Sequence, residues 1–210
     1  MNPRGRAALI ALEGIDGAGK STVLRALAQR LSRRGWRVGT WREPSDPALG
    51  REAQRIAARD PLRAALKFTL DRALARPQLQ KLLGATDVVL TDRSMYSTLA
   101  YQGSALPRAA RSELARLQRS ATVVPDRVVW LAVPISLALT RVHRRGARRA
   151  PLERARTLRR VDRGYRALAR AGGWWRLDGR RTSAQLAVEA EAKVTAWLGR
   201  PRRRPTRRRG

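Results

Sequence analysis

The chain has no cysteine and a single histidine, His143. Those two facts remove a disulfide framework, a thiolate metal centre and a histidine metal cluster from consideration. Acidic residues are scarce as well, 16 against 46 basic ones, which gives a formal charge of +30. Only four of the basic residues are lysines. Aromatic residues make up 5% of the chain, with one phenylalanine and three tyrosines. Aromatic rings interleaved with basic side chains are the usual platform for single-stranded nucleic acid, so specific nucleic-acid binding is not expected. No apolar run reaches the length of a membrane span, and no membrane partner is expected. The opening "MNPRGRAALIALEG" sets basic residues before a short apolar run, as a secretory signal does. That run leads straight into a glycine-rich loop, so it reads as a core strand. The reducing cytoplasm is the expected location.

What remains is a chain of 210 residues, long enough for one domain with a substantial core. Its charge is dispersed: the last eleven residues, "RPRRRPTRRRG", hold seven arginines, yet without them the charge is still +23. Arginine abounds together with alanine, glycine and proline, the mixture that GC-rich coding produces. A positive field draws in ATP, other nucleotides, nucleic acids and acidic lipids alike, so charge alone assigns no partner.

The stretch "GIDGAGKS", residues 14–21, is informative. It satisfies G-x-x-x-x-G-K-[ST] in full, directly after the apolar "AALIAL" and before a helical pattern. A loop nearly free of side chains lets backbone N–H groups curl around an anion, and the following helix points its positive end at the same place. In such a loop Lys20 reaches the β- and γ-phosphates and the Ser21 hydroxyl holds Mg²⁺. Gly14, Ile15, Asp16, Gly17, Ala18, Gly19, Lys20, Ser21 and Thr22 are therefore the expected ATP-binding residues.

Short apolar runs alternate with longer amphipathic stretches, the pattern of βαβ units around a parallel sheet. Strands are predicted at about 7–12, 36–41, 87–91, 127–132 and 174–178. The first helix should stop at Gly35, and "PLRAALKFTLDRALARPQLQKLL" reads as a long helix or a helix pair interrupted by Pro77. A final amphipathic helix should end at Gly199. Residues 200–210 lack apolar content and are expected to be a disordered basic tail. Ligands in such sheets lie beyond the carboxyl ends of the strands. There the sequence places "GIDGAGKS", "REPSDP" and "DRSMYS", with an arginine-rich segment near the fourth strand.

With those blocks in place, residues 7–200 resemble the thymidylate kinase family of P-loop nucleoside monophosphate kinases, whose members transfer the γ-phosphoryl of ATP to dTMP. The resemblance rests on "ALEGIDGAGKST" (11–22), "REP" (42–44), "FTLDR" (68–72), "DRSMYSTLAYQG" (92–103) and "PDRVVWLAVP" (125–134). It implies a three-layer α/β/α fold over residues 1–199, with a five-stranded parallel sheet of order 2-3-1-4-5 and a short arginine-rich lid at about 141–154. ATP and Mg²⁺ are the implied cofactors and a homodimer the implied assembly. Carried over to these positions, Asp16 faces the bound monophosphate, and Arg42 and Arg93 hold its phosphate. Phe68 lies on the pyrimidine ring and Arg72 meets the base edge. Thr98, Tyr101 and Gln102 line the pocket, while Asp92 and Ser21 serve Mg²⁺. Phosphoryl transfer asks mainly for positioning and for neutralised oxygens, which arginine, lysine and Mg²⁺ supply.

The family places its transition-state arginine either in the phosphate loop or in a lid. Gly17 and Ala18 stand at the loop positions, so the resemblance turns to "RVHRRGARRAPLER" (141–154), where Arg144, Arg145, Arg148 and Arg149 are the candidates. Arg148 is taken as representative. Three departures stand out: Ser45-Asp46 replaces the usual glycine pair, Ala132 replaces the usual acid in the fourth strand, and Pro151 stands in the lid in place of the usual Asp-Arg-x-Glu pattern. Each site residue also has a plain reading. Phe68 can be core packing, Asp92 a helix cap and His143 a solvated side chain. A kinase for another pyrimidine nucleotide and a nucleic-acid-binding P-loop ATPase are the alternative functions.

Overall fold

The computed structural model describes residues 7–144 and 151–199, except for the side chains at 151–154. The basic tail at 200–210 and Arg145, Arg148 and Arg149 of the lid lie outside the described residues. Elements run in the order β1 (Ala8–Glu13), α1 (Lys20–Arg33), β2 (Val38–Arg42), α2 (Pro47–Ile56), α3 (Pro61–Ala85), β3 (Val88–Asp92) and α4 (Met95–Tyr101). There follow α5 (Arg108–Ala121), β4 (Arg127–Ala132), α6 (Ile135–His143), α7 (Pro151–Gly172), β5 (Trp175–Asp178) and α8 (Ser183–Leu198).

The five strands form one sheet of order β2-β3-β1-β4-β5, parallel throughout. The period of two decides which helix each strand residue meets. Ala8, Ile10 and Leu12 of β1 join a core with Val23, Leu27 and Leu31 of α1 and Leu186, Ala190 and Val194 of α8. Leu9 points the other way, to Val89 and to Leu79 and Leu83 of α3. Helices therefore cover both faces, and the inner strands β1, β3 and β4 are mostly apolar because both their sides are buried, whereas the edge strands β2 and β5 are only partly buried. Each such side chain taken out of water contributes about 1.5–3 kcal/mol. Among the described residues, no helix is long and apolar enough to cross a membrane.

Of the two readings of the segment containing Pro77, the long helix is the one observed. Helix α3 is one continuous helix through Pro77. Pro77 lies on the exposed side, while Ala75, Leu79 and Leu83 on either side of it pack inwards, so packing outweighs the lost backbone bond. The expected lid at about 141–154 overlaps the end of α6 at His143 and the start of α7 at Pro151, and residues 145–150 between them lie outside the described residues. Proline suits a first helical position, where its missing N–H costs nothing.

Sheet register gathers the site. Leu12 pairs with Asp92, and Arg42 pairs with Asp92 from the opposite side. The carboxyl ends of β1, β2 and β3 are therefore neighbours, and the three sequence blocks that follow them meet.

Candidate active site

After β1 the chain cannot continue as strand. Gly14 adopts φ 149°, and a Cβ there would sit 2.8 Å from the Leu131 carbonyl oxygen. Gly17 adopts φ 83°, and its Cβ would sit 2.3 Å from the Ala138 carbonyl oxygen of α6. Glycine is thus required at both places by contact as well as by conformation. Gly19 caps α1, with no side-chain cap and no acid in the first turn. The helix end is left to an anion.

Lys20 is buried beneath this loop, its Nζ donating to the Gly14 and Ile15 carbonyls at 3.0 and 3.1 Å. Burial, reinforced by the Arg93 charge, lowers its pKa to about 8, against the pull of Asp16, Asp92 and Glu13. An arriving phosphate supplies the counter-charge that favours the ammonium form. Next to it, the Ser21 hydroxyl donates to the Asp92 carboxylate. A hydroxyl and a carboxylate side by side are hard oxygen donors of the kind Mg²⁺ takes. Among the described residues there is no group of three or more acids or histidines that could cage a metal. One carboxylate plus a hydroxyl, completed by phosphates and water, fits Mg²⁺ better than a full protein cage would.

The acceptor side is tied to the loop by Asp16. Its carboxylate accepts from Arg93 Nη2 at 2.5 Å, and its backbone N–H donates to the Tyr101 hydroxyl at 2.9 Å. The Arg93 guanidinium also lies 5.3 Å from the centre of the Tyr101 ring, a cation–π contact. Burial, and then the nearby Asp16 charge, push the Tyr101 hydroxyl well up, so it stays protonated. Asp16, Arg93 and Tyr101 are thus brought together as one unit.

Arg72 lies deeper. Its Nε donates to Glu43 at 2.5 Å, Nη1 to the Thr98 hydroxyl at 2.9 Å and Nη2 to the Ser94 carbonyl at 2.9 Å. Longer contacts run to the Phe68 carbonyl and to Gln118. Thr98 is buried, and its hydroxyl orients Arg72 rather than facing an open cavity. Phe68 is half-buried on α3, one turn before Arg72. Gln102 is 7% exposed and its amide makes no hydrogen bond among the described residues, so its polar atoms are not fully enclosed. Arg42 is exposed at the end of β2 and makes no side-chain bond among the described residues. Arg144 is exposed and caps α6; His143 is exposed at that helix's end.

The departures resolve locally. Asp46 caps α2, accepting from the N–H groups of Ala48 and Leu49 at 2.6 and 3.2 Å, so its charge faces a helix end. Asp71 accepts from Ser45 N–H, Ser45 hydroxyl and Asp46 N–H, at 3.0, 2.9 and 2.7 Å. The Ala132 carbonyl accepts from Gly179 N–H, a role that needs no acid side chain. Sequence reasoning left several participants unassigned: Glu13, Glu43, Asp71, Gln118, Arg141 and Tyr165. Arg141 lies over the loop, Nη2 on the Gly179 carbonyl at 3.2 Å and Nη1 near the Gly17 carbonyl at 3.5 Å. Glu13, Glu43 and Asp71 all sat inside quoted motif blocks, so adjacency was available as a signal.

A central strand running into a glycine-capped helix, in a parallel sheet of this order with the carboxyl ends of β2 and β3 alongside, defines a P-loop nucleotide-binding kinase. The model of the family described as thymidylate kinase matches residues 12–188. The chain is 36% identical to a thymidylate kinase of Synechococcus sp. (strain CC9902), covering 90% of this chain and 97% of that one. It is 36% identical to one of Prochlorococcus marinus (strain MIT 9313), covering 88% and 93%. It is 32% identical to a probable thymidylate kinase of Thermoplasma acidophilum, covering 90% and 96%. The chain belongs to the thymidylate kinase family.

Proposed function

We propose that the protein transfers the γ-phosphoryl group of ATP to dTMP, giving ADP and dTDP. The observation that carries this reading is the Asp16–Arg93 contact, which joins the phosphate loop to the residues facing the acceptor. Two of the five N–H groups of Arg93 go to Asp16 and Ser97, so the rest of the fork stays available to grip phosphate while the side chain is anchored. Lys20 neutralises the donor phosphates, and Arg42 approaches the acceptor phosphate from β2. At least one of Arg144, Arg145, Arg148 and Arg149 enters on closure, because the loop has no cation of its own between Gly14 and Gly19. Ser21 and Asp92 would hold Mg²⁺, which would neutralise negative charge on the donor phosphates. Phe68 stacks on the pyrimidine, and Arg72 and Gln102 read its edge. For Arg72 this uses the second Nη2 hydrogen or replaces one of its present partners.

Residues 1–199 form the kinase domain in this reading, and 200–210 a basic extension. The protein acts as a cytoplasmic homodimer, supported for location by the absence of cysteine. Dimerisation is supported by four leucines on α3, Leu62, Leu66, Leu70 and Leu74, spaced one turn apart and 44–61% exposed. The deciding experiment is a product assay with ATP·Mg²⁺ and dTMP, dUMP, UMP, dCMP and AMP. dTMP is the expected best acceptor, with dUMP poorer by roughly 5- to 150-fold, the range that one methyl group allows. AMP as best acceptor would overturn the assignment.

A further inference from the structure

Glu13 ends β1 and is fully enclosed, yet no arginine or lysine touches its carboxylate among the described residues. Three hydroxyls surround it instead. Ser94 donates at 2.7 Å, Ser97 at 2.7 Å and Tyr165 at 2.8 Å, the last two to the same oxygen. Ser97 and Tyr165 also lie 3.0 Å apart. Each hydroxyl has one hydrogen, and Ser97 spends its own on Glu13 or on the Tyr165 oxygen. That leaves the Ser97 oxygen free to accept, and the N–H it accepts is Arg93 Nη1, at 2.9 Å.

The result is a buried chain from α7 to the acceptor site: Tyr165 to Glu13, Glu13 to Ser97, Ser97 to Arg93. The Arg93 backbone is fixed separately, with φ 77°, its N–H on the Leu12 carbonyl at 3.1 Å and its carbonyl on the Thr91 hydroxyl at 2.7 Å. The direction of the guanidinium depends on its two side-chain anchors. Asp16 is exposed, its side chain 53% accessible. Ser97 is buried and held. We infer that Tyr165 is a positioning residue for the acceptor phosphate: with Glu13 it fixes the Ser97 hydroxyl and so aims Arg93. Helix α7, which follows the lid segment, thereby sets where the acceptor phosphate is held. Tyr165 lies 152 residues from Glu13 in sequence and does not itself touch substrate.

This rests on the reading of Arg93 as the acceptor-phosphate grip, and the test separates the two. Tyr165→Phe removes one oxygen and keeps the ring, whose edge packs against Tyr101 with centroids 6.3 Å apart. Affinity for dTMP and for ATP is measured by calorimetric titration of the full chain in four forms: unaltered, Tyr165→Phe, Arg93→Ala and the double variant. Losing the bond is expected to weaken dTMP about 3- to 10-fold and ATP less than 2-fold. In the Arg93→Ala background the same substitution should change dTMP affinity less than 2-fold, because the relay then has nothing to aim. Ser97→Ala should reproduce Tyr165→Phe. Equal losses in both backgrounds, equal losses of dTMP and ATP, or no loss on Tyr165→Phe while Arg93→Ala is severe would each overturn the relay. If Arg93→Ala itself leaves dTMP affinity unchanged, the role of Arg93 fails, and the relay fails with it.

Discussion

Glu43 and Arg72 form an ion pair whose side chains are only 9% and 5% exposed. Burial pushes the Glu43 carboxyl up and the adjacent guanidinium pulls it down, so the pair holds its charges at a substantial desolvation cost. Such a pair adds little net stability, but removing one partner strands the other. Glu43→Ala would leave Arg72 buried against neutral acceptors alone, Thr98, Gln118 and the carbonyls of Ser94 and Phe68. Those bonds soften the loss, so the lower end of the range, about 3 kcal/mol, is expected. In a chain of this size that lowers the melting temperature by about 6–12 °C. The double variant Glu43→Leu/Arg72→Met removes both charges and should melt above the single variant. It should nevertheless bind dTMP poorly, since the base-edge arginine is gone. Thermal melts followed by circular dichroism, paired with dTMP titrations, give both numbers. A single variant melting within 3 °C of the unaltered protein, or a double variant showing simple additivity, would refute the reasoning.

Further outcomes are expected at the remaining parts of the site. The charged form of Lys20 binds phosphate and loses its proton near pH 8 in the empty protein, so kcat/KM for ATP should fall as pH rises through about 8. A profile flat to roughly pH 9.5 would show that this charge is not needed. Phe68→Ala should weaken acceptor use roughly 5- to 150-fold and leave ATP affinity in place, as judged from steady-state kinetics. Single alanine substitutions at Arg144, Arg145, Arg148 and Arg149 should reveal one position that lowers kcat far more than it raises the KM for ATP; four mild variants would leave Arg42 and Arg93 as sufficient cations. Leu70→Glu puts a charge in the middle of the α3 leucine row and should shift light-scattering mass from dimer to monomer. An unchanged dimer would place the interface elsewhere.

Much of this was legible in the sequence because the relevant signals are local. Apolar runs marked the strands, glycines at 35 and 199 marked helix ends, and the loop residues are contiguous. The order of the sheet came from the family resemblance and agrees with the structure. Pro77 left two readings open because its effect depends on which side of α3 faces water, and a periodicity averaged over 25 residues does not say. Pro151 reads equally well as a break in the lid or as a helix start, and it starts α7. Arg72 pointed to a base edge, while its ties to Glu43, Thr98 and Gln118 join three separate segments. Tyr165 carried no signal at all, since its partners come from β1 and α4 and only the packing of α7 brings them together.

One residue in five of this chain is arginine. The loop at Gly17 is closed to it. The carbonyl of Ala138 occupies the place where any side chain would begin, and backbone cannot swing aside as a flexible side chain can. An arginine at Gly17 would need α6 to shift together with the loop, so one of the two loop positions that could carry a cation is closed by that single backbone contact.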